Sequence, residues 1–259
     1  MKDRPHGAPD FRPPTLADLT ASLKSGRKDF ATKPVLGIYF AGFYVVAGLF
    51  MAWLTYVTGQ TFWLILLVLG FPLVGVFAAI GFYETSRRLV EDEPVTFAQV
   101  QAVVWSERSG QLPWAAVIVV VILLFWFFLG HMIFALFLGL SPMTNVSTSI
   151  AVFLTPEGLM MVAFGSAVGG VFASIIFAAS VLGIPMLLDR DVDFMTAMTG
   201  SMAQVIAYPV IYLSWGAFIG LLTFLAMLPG FLGLFFVMPW LGHATWHLYD
   251  RLSDTTTAA

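Results

Sequence analysis

The residues able to do chemistry in this chain are few and fall into short strips. His243 and His247 stand four apart in HATWH, which sets both imidazoles on one side of a helix. That spacing can chelate a metal ion, with Glu84 or Asp189 adding a carboxylate. A zinc hydrolase, however, needs a glutamate after the first histidine, and that position is Ala244. The competing reading has the two imidazoles capping and pairing at a membrane interface beside Trp240 and Trp246. Three further strips carry Glu84, Arg87 and Arg88; Asp189, Arg190 and Asp191; and Asp250 with Arg251. They can neutralise one another in an ion-pair network, or their arginines can hold the phosphates of lipid headgroups. His131 stands alone and reads as an interfacial histidine. Glu157 follows Thr155 and Pro156 as the acid of a helix first turn. There is no cysteine, so disulfides, thiolate metal sites and cysteine nucleophiles are excluded. No phosphate-cradling glycine loop or nucleophile elbow is present, and no residue set is catalytic.

The elements that must position these strips are hydrophobic. Of 259 residues, 59% are apolar and 10% are charged, against about 45–50% and about 25% in soluble domains. Six apolar runs stand out: 34–57, 62–83, 113–140, 157–186, 205–227 and 231–246. Each approaches or exceeds the ~20 residues of a membrane-crossing helix. Before each odd-numbered run lies an amphipathic stretch with a plausible N-cap, namely Thr15, Thr96 and Asp193. Thr15 and Asp18 suit a capping box. The fold expected is therefore all-α: six transmembrane helices in three hairpins, each preceded by a cytoplasmic interfacial helix. The units would be a threefold repeat, 15–92, 93–191 and 192–252, between flexible tails at 1–14 and 253–259.

Charge sets the orientation. The connections at 58–61, 141–156 and 228–230 carry no lysine or arginine, so all 12 cations fall on one face together with both ends of the chain. By the positive-inside rule that face is cytoplasmic. No Asp, Glu, Lys or Arg lies near the centre of a run, which argues against ion-coupled transport and voltage sensing. In the fourth run Gly165 and Gly169 form GSAVG, a close-packing pattern more suited to an internal helix pair than to an oligomer.

The strips FYETSRRLVEDEP, IPMLLDRDVDFMTAM and PWLGHATWHLYDRL resemble an uncharacterised family of bacterial integral membrane proteins. Members are sometimes labelled as similar to subunit I of cytochrome c oxidase. A haem–copper centre needs several histidines clustered within the bilayer, and this chain offers His131 at one face and a single pair at the other. The resemblance implies a six-pass protein of the bacterial inner membrane with no established activity. The leading expectation is a non-catalytic accessory, scaffold or assembly component of a membrane complex, without cofactor. Its partners would be the lipid bilayer and other membrane subunits or itself, and not nucleic acid. The alternatives are a small-molecule or lipid carrier and, third, a metal- or haem-binding redox subunit using His243 and His247.

Overall fold

The computed structural model describes residues 4–59, 63–139 and 150–253. Much of the connections 58–61 and 141–156, the side chains of Trp63 and Pro72, and the tail 254–259 lie outside the described residues. The helices in order are α1 (Leu16–Thr32), α2 (Pro34–Thr58), α3 (Trp63–Val90), α4 (Phe97–Ser106), α5 (Leu112–Leu138), α6 (Pro156–Ser180), α7 (Gly183–Asp189), α8 (Phe194–Ala207), α9 (Pro209–Met227) and α10 (Leu234–Ser253). Among the described residues there is no strand, only a single bridge between His6 and Asp191.

Local chemistry explains where the short helices begin. Asp18 N–H donates to the Thr15 hydroxyl while the Asp18 carboxylate accepts from Thr15 N–H at 2.9 Å, a closed capping box. Thr96 and Gln99 repeat it at α4. At α8 the Asp193 side chain accepts from Thr196 N–H. The long helices then start at once. Only Lys33 separates α1 from α2, and only Tyr208 separates α8 from α9. Both linking residues precede a proline, which disfavours the helical conformation, and both take nearly the same angles: φ −130°, ψ 57° and φ −131°, ψ 57°. The helix axis breaks there without a linker.

Four segments are long and apolar enough to cross a membrane: Pro34–Thr58, Leu112–Leu138, Pro156–Asp189 and Pro209–Met227. The expectation of six is met in this part only. In α10 the polar turns from His243 to Arg251 stand where further apolar residues would be needed. In α3 the side chains up to residue 74 lie outside the described residues. Several boundaries also move. The fourth run is interrupted after Ser180 and resumes as α7, and the fifth begins at Pro209, because the chain before it belongs to α8.

The densest packing lies at the cation-bearing end. Phe82, Leu182, Met186, Trp246, Leu248, Tyr249 and Leu252 are all buried there. Trp246 packs against Tyr83 and Tyr249, so it is a core residue and not a member of an interfacial belt. Two glycines permit this density. A Cβ on Gly26 of α1 would stand 2.5 Å from the Ala244 backbone nitrogen of α10, and one on Gly242 would meet the Phe82 ring at 2.5 Å. Residues 4–14, in the stretch expected as a tail, are held across this end. Asp191 N–H donates to Pro5 O at 3.0 Å, Arg12 N–H to Leu252 O at 3.0 Å, and Gln204 Nε2 to Arg12 O at 3.0 Å.

Candidate functional site

Two features meet at this end of the bundle: a buried polar cluster and, beyond it, an apolar cavity. The cluster is built from α1, α3 and α10. Ser86 Oγ donates to Asp29 Oδ2 at 2.7 Å, and His247 Nε2 donates to the same oxygen at 2.7 Å. Ser86 has one proton and Asp29 takes it, so His243 Nδ1 donates to Ser86 Oγ, at 2.8 Å. All four residues are buried. Burial alone would raise the Asp29 carboxyl. The hydrogen bonds from His247 and Ser86, with the two neighbouring imidazoles, outweigh it and hold the group below the usual carboxylate range.

This arrangement governs what the histidine pair can do. The nitrogens that face Asp29 and Ser86 carry protons and are not free to bind a metal. Among the described residues, no group of three or more His, Cys, Asp or Glu is placed to hold a metal ion. Ser86 gives its proton to the Asp29 carboxylate and accepts from His243, the reverse of the serine–imidazole direction in a hydrolase nucleophile.

The charged strips find partners locally. Glu84 is fully buried and accepts from Arg87 Nε at 2.8 Å and Nη2 at 2.9 Å, and from Arg88 Nε at 2.5 Å. Arg87 also reaches Glu91 at 3.1 Å, and Arg88 reaches Glu93 at 3.4 Å. Asp189 accepts from the Tyr249 hydroxyl at 2.8 Å and lies 3.6 Å from Arg190, while Asp191 pairs with His6. Arg251 gives its backbone carbonyl to Arg12 Nε and reaches Ser25 at 3.4 Å; its neighbour Asp250 is half-buried on α10. The strips therefore form three local groups and do not converge on one site. His131 donates from Nδ1 to Phe127 O at 2.8 Å, within its own helix. Gly169 turns toward Trp126 of α5, so the GSAVG face serves an internal pair.

Some participants give little sign of themselves in the sequence. Asp29 and Ser86 are two; Arg4, which pairs with buried Glu107, is a third. The available signal was weak: Asp29 shares the face of α1 that carries Leu19, Ser22 and Gly26, a stripe of buried residues at helical spacing.

The cavity has a volume of about 620 Å³ and is walled by α2, α3, α5, α6, α7, α9 and α10. Phe82, Tyr83, Leu241, Gly242 and Thr245 line it on the same turns of α3 and α10 that carry the polar cluster. No charged residue lines it. Several polar groups on its wall are satisfied by backbone. Tyr44 donates to Gly75 O at 2.5 Å, Ser180 to Ile176 O at 2.7 Å and Thr245 to Leu241 O at 2.8 Å. A binding site of this size lies within the ordinary range of small-molecule pockets, roughly 300–1,000 Å³.

Long apolar helices around such an interior define an integral membrane protein of the helical, multi-pass class. Residues 64–189, from α3 to the end of α7, match a family model described as Predicted integral membrane protein (DUF2189). The match agrees with the resemblance carried by the strips beginning at Phe82 and Ile184. No curated protein and no solved structure matches the chain.

Proposed function

We propose that this protein is a non-catalytic membrane protein that holds a hydrocarbon-chain molecule, a lipid or a lipid-like small molecule, inside its helical bundle. The cavity carries this reading. Its walls are mostly apolar, no charge faces it, and of its polar side chains Tyr44, Ser180 and Thr245 have their hydroxyl protons committed to backbone carbonyls, leaving Tyr83, Trp126 and Thr223 as the scattered polar points. A strongly polar or charged solute would leave most of its groups unpaired there, which costs more than the binding returns. A hydrocarbon chain would fill the space at no such cost. With this we read the chain as six crossings in three repeated units, both ends on the cytoplasmic side of a bacterial inner membrane. The one-sided cations support that threading.

A second reading, an accessory or scaffold subunit, has its own support. In α5 and α9 only 17% of each apolar window is buried within the chain, leaving broad faces for lipid or for other membrane helices. One experiment separates the two. After purification in mild detergent, native mass spectrometry should find one hydrocarbon-chain molecule per chain, and Ala79→Trp, which fills the cavity, should abolish it. A chain carrying only bulk lipid overturns the cavity reading. An empty chain bound to another membrane subunit would replace it with the second.

A further inference from the structure

The arginines of the Glu84 strip are the obvious candidates for gripping lipid phosphates, but they are spent: Arg87 and Arg88 are shared among Glu84, Glu91 and Glu93. Cations without partners stand elsewhere. On α1, Lys24, Arg27 and Lys28 are all exposed, and none makes an ion pair among the described residues. Their spacing of three and four residues puts them on one face. The two acids of α1 are on the opposite face and already have partners, Asp18 paired with Arg12 at 2.6 Å and Asp29 hydrogen-bonded by His247 and Ser86, each at 2.7 Å. Three like charges side by side repel one another and weaken the helix unless an anion meets them.

We infer that this face of α1 is a binding surface for anionic phospholipid headgroups. The position of the helix selects lipid over a soluble partner. Lys33 alone separates α1 from α2, a segment able to cross a membrane, so the cations are held within a few turns of the bilayer surface. Val35 and Ile38, exposed at the start of α2, offer apolar contacts suited to the acyl region. The surface is separate from the cavity, and neither inference depends on the other.

The test uses the full-length protein in mixed micelles containing anionic and zwitterionic phospholipids of identical acyl chains, with bound lipid counted by native mass spectrometry. The wild type should enrich the anionic lipid, and the enrichment should fall as salt is raised. K24Q/R27Q/K28Q should lose it, by about fivefold for each charge removed at low salt. The charge-conserving K24R/K28R should retain it. Equal enrichment in the triple variant and the wild type overturns the inference. So does displacement of the lipid by millimolar inorganic phosphate, which would make a free phosphate the ligand.

Discussion

Asp29 binds three helices through a single carboxylate oxygen, so its replacement reads out the whole cluster. Asp29→Asn leaves His247 and Ser86 without their charged acceptor. Hydrogen bonds to a charged group contribute about 1.5–3 kcal/mol, and thermal unfolding in detergent should show a loss of that order. Asp18 gives a sharper prediction. Hydrogen bonding from Arg12, outweighing burial, with further bonds from Thr15, holds its carboxyl at about 2, below the ordinary value near 4. A depressed carboxyl contributes stability above its unfolded value and loses it as pH falls through its folded value. The melting temperature should therefore drop between about pH 4 and pH 2, and Asp18→Asn should flatten that limb. An acid limb of the same depth in the variant would remove Asp18 from the account. At this scale the sequence was partly legible. Asp18 announces itself by its place three residues after Thr15. Asp29 does not, because a carboxylate in an amphipathic helix ordinarily faces water, and only the distant positions of Ser86, His243 and His247 turn it inward.

Among the elements, the approach of α1 to α10 is the most demanding contact. A side chain at position 26 would collide with the Ala244 backbone, which cannot yield as a side chain could. Gly26→Leu should therefore prevent α1 from docking and expose its N-terminal half to limited proteolysis. Gly242→Ala meets the buried Phe82 side chain rather than backbone and should be milder; equal damage from both would argue against this placement of α1. Thr96→Ala removes a capping box on an exposed turn and should cost about 0.5–2 kcal/mol, measured by chemical denaturation. The starts of α1, α4 and α8 were readable because a cap is a local chemical signal, and the prolines after Lys33 and Tyr208 likewise marked true breaks. The interruption between α6 and α7 was not, since both sides of it are apolar. Nor was the continuation of α10 to Ser253, because its polar turns look like a membrane exit while their burial depends on α1, α3 and α7.

For the molecule as a whole, composition announced membrane residence, but not how the interior is used. A chain of aligned apolar runs looks the same whether its helices close tightly or stand around a space, because the difference lies in which side chains meet. Here the end near the cations closes tightly and the cavity lies beyond it. Reporter tags at the two ends should both be reached from the same side of the membrane; opposite accessibility would reject the threading and the six-crossing reading with it.

The segment from Arg4 to Arg12 lies far from any apolar run, and a shortened protein starting at residue 15 would still hold every membrane helix. It would nevertheless strip buried Glu107 and Asp18 of their arginines, and uncover carbonyls at Leu187 and Arg251. Glu107 would then lose the arginine opposite it and Asp18 would keep only its bonds from Thr15, a loss on the order of 1.5–3 kcal/mol apiece. Trimming the beginning of this protein for convenience would thus loosen the end of the bundle where its last helix is anchored.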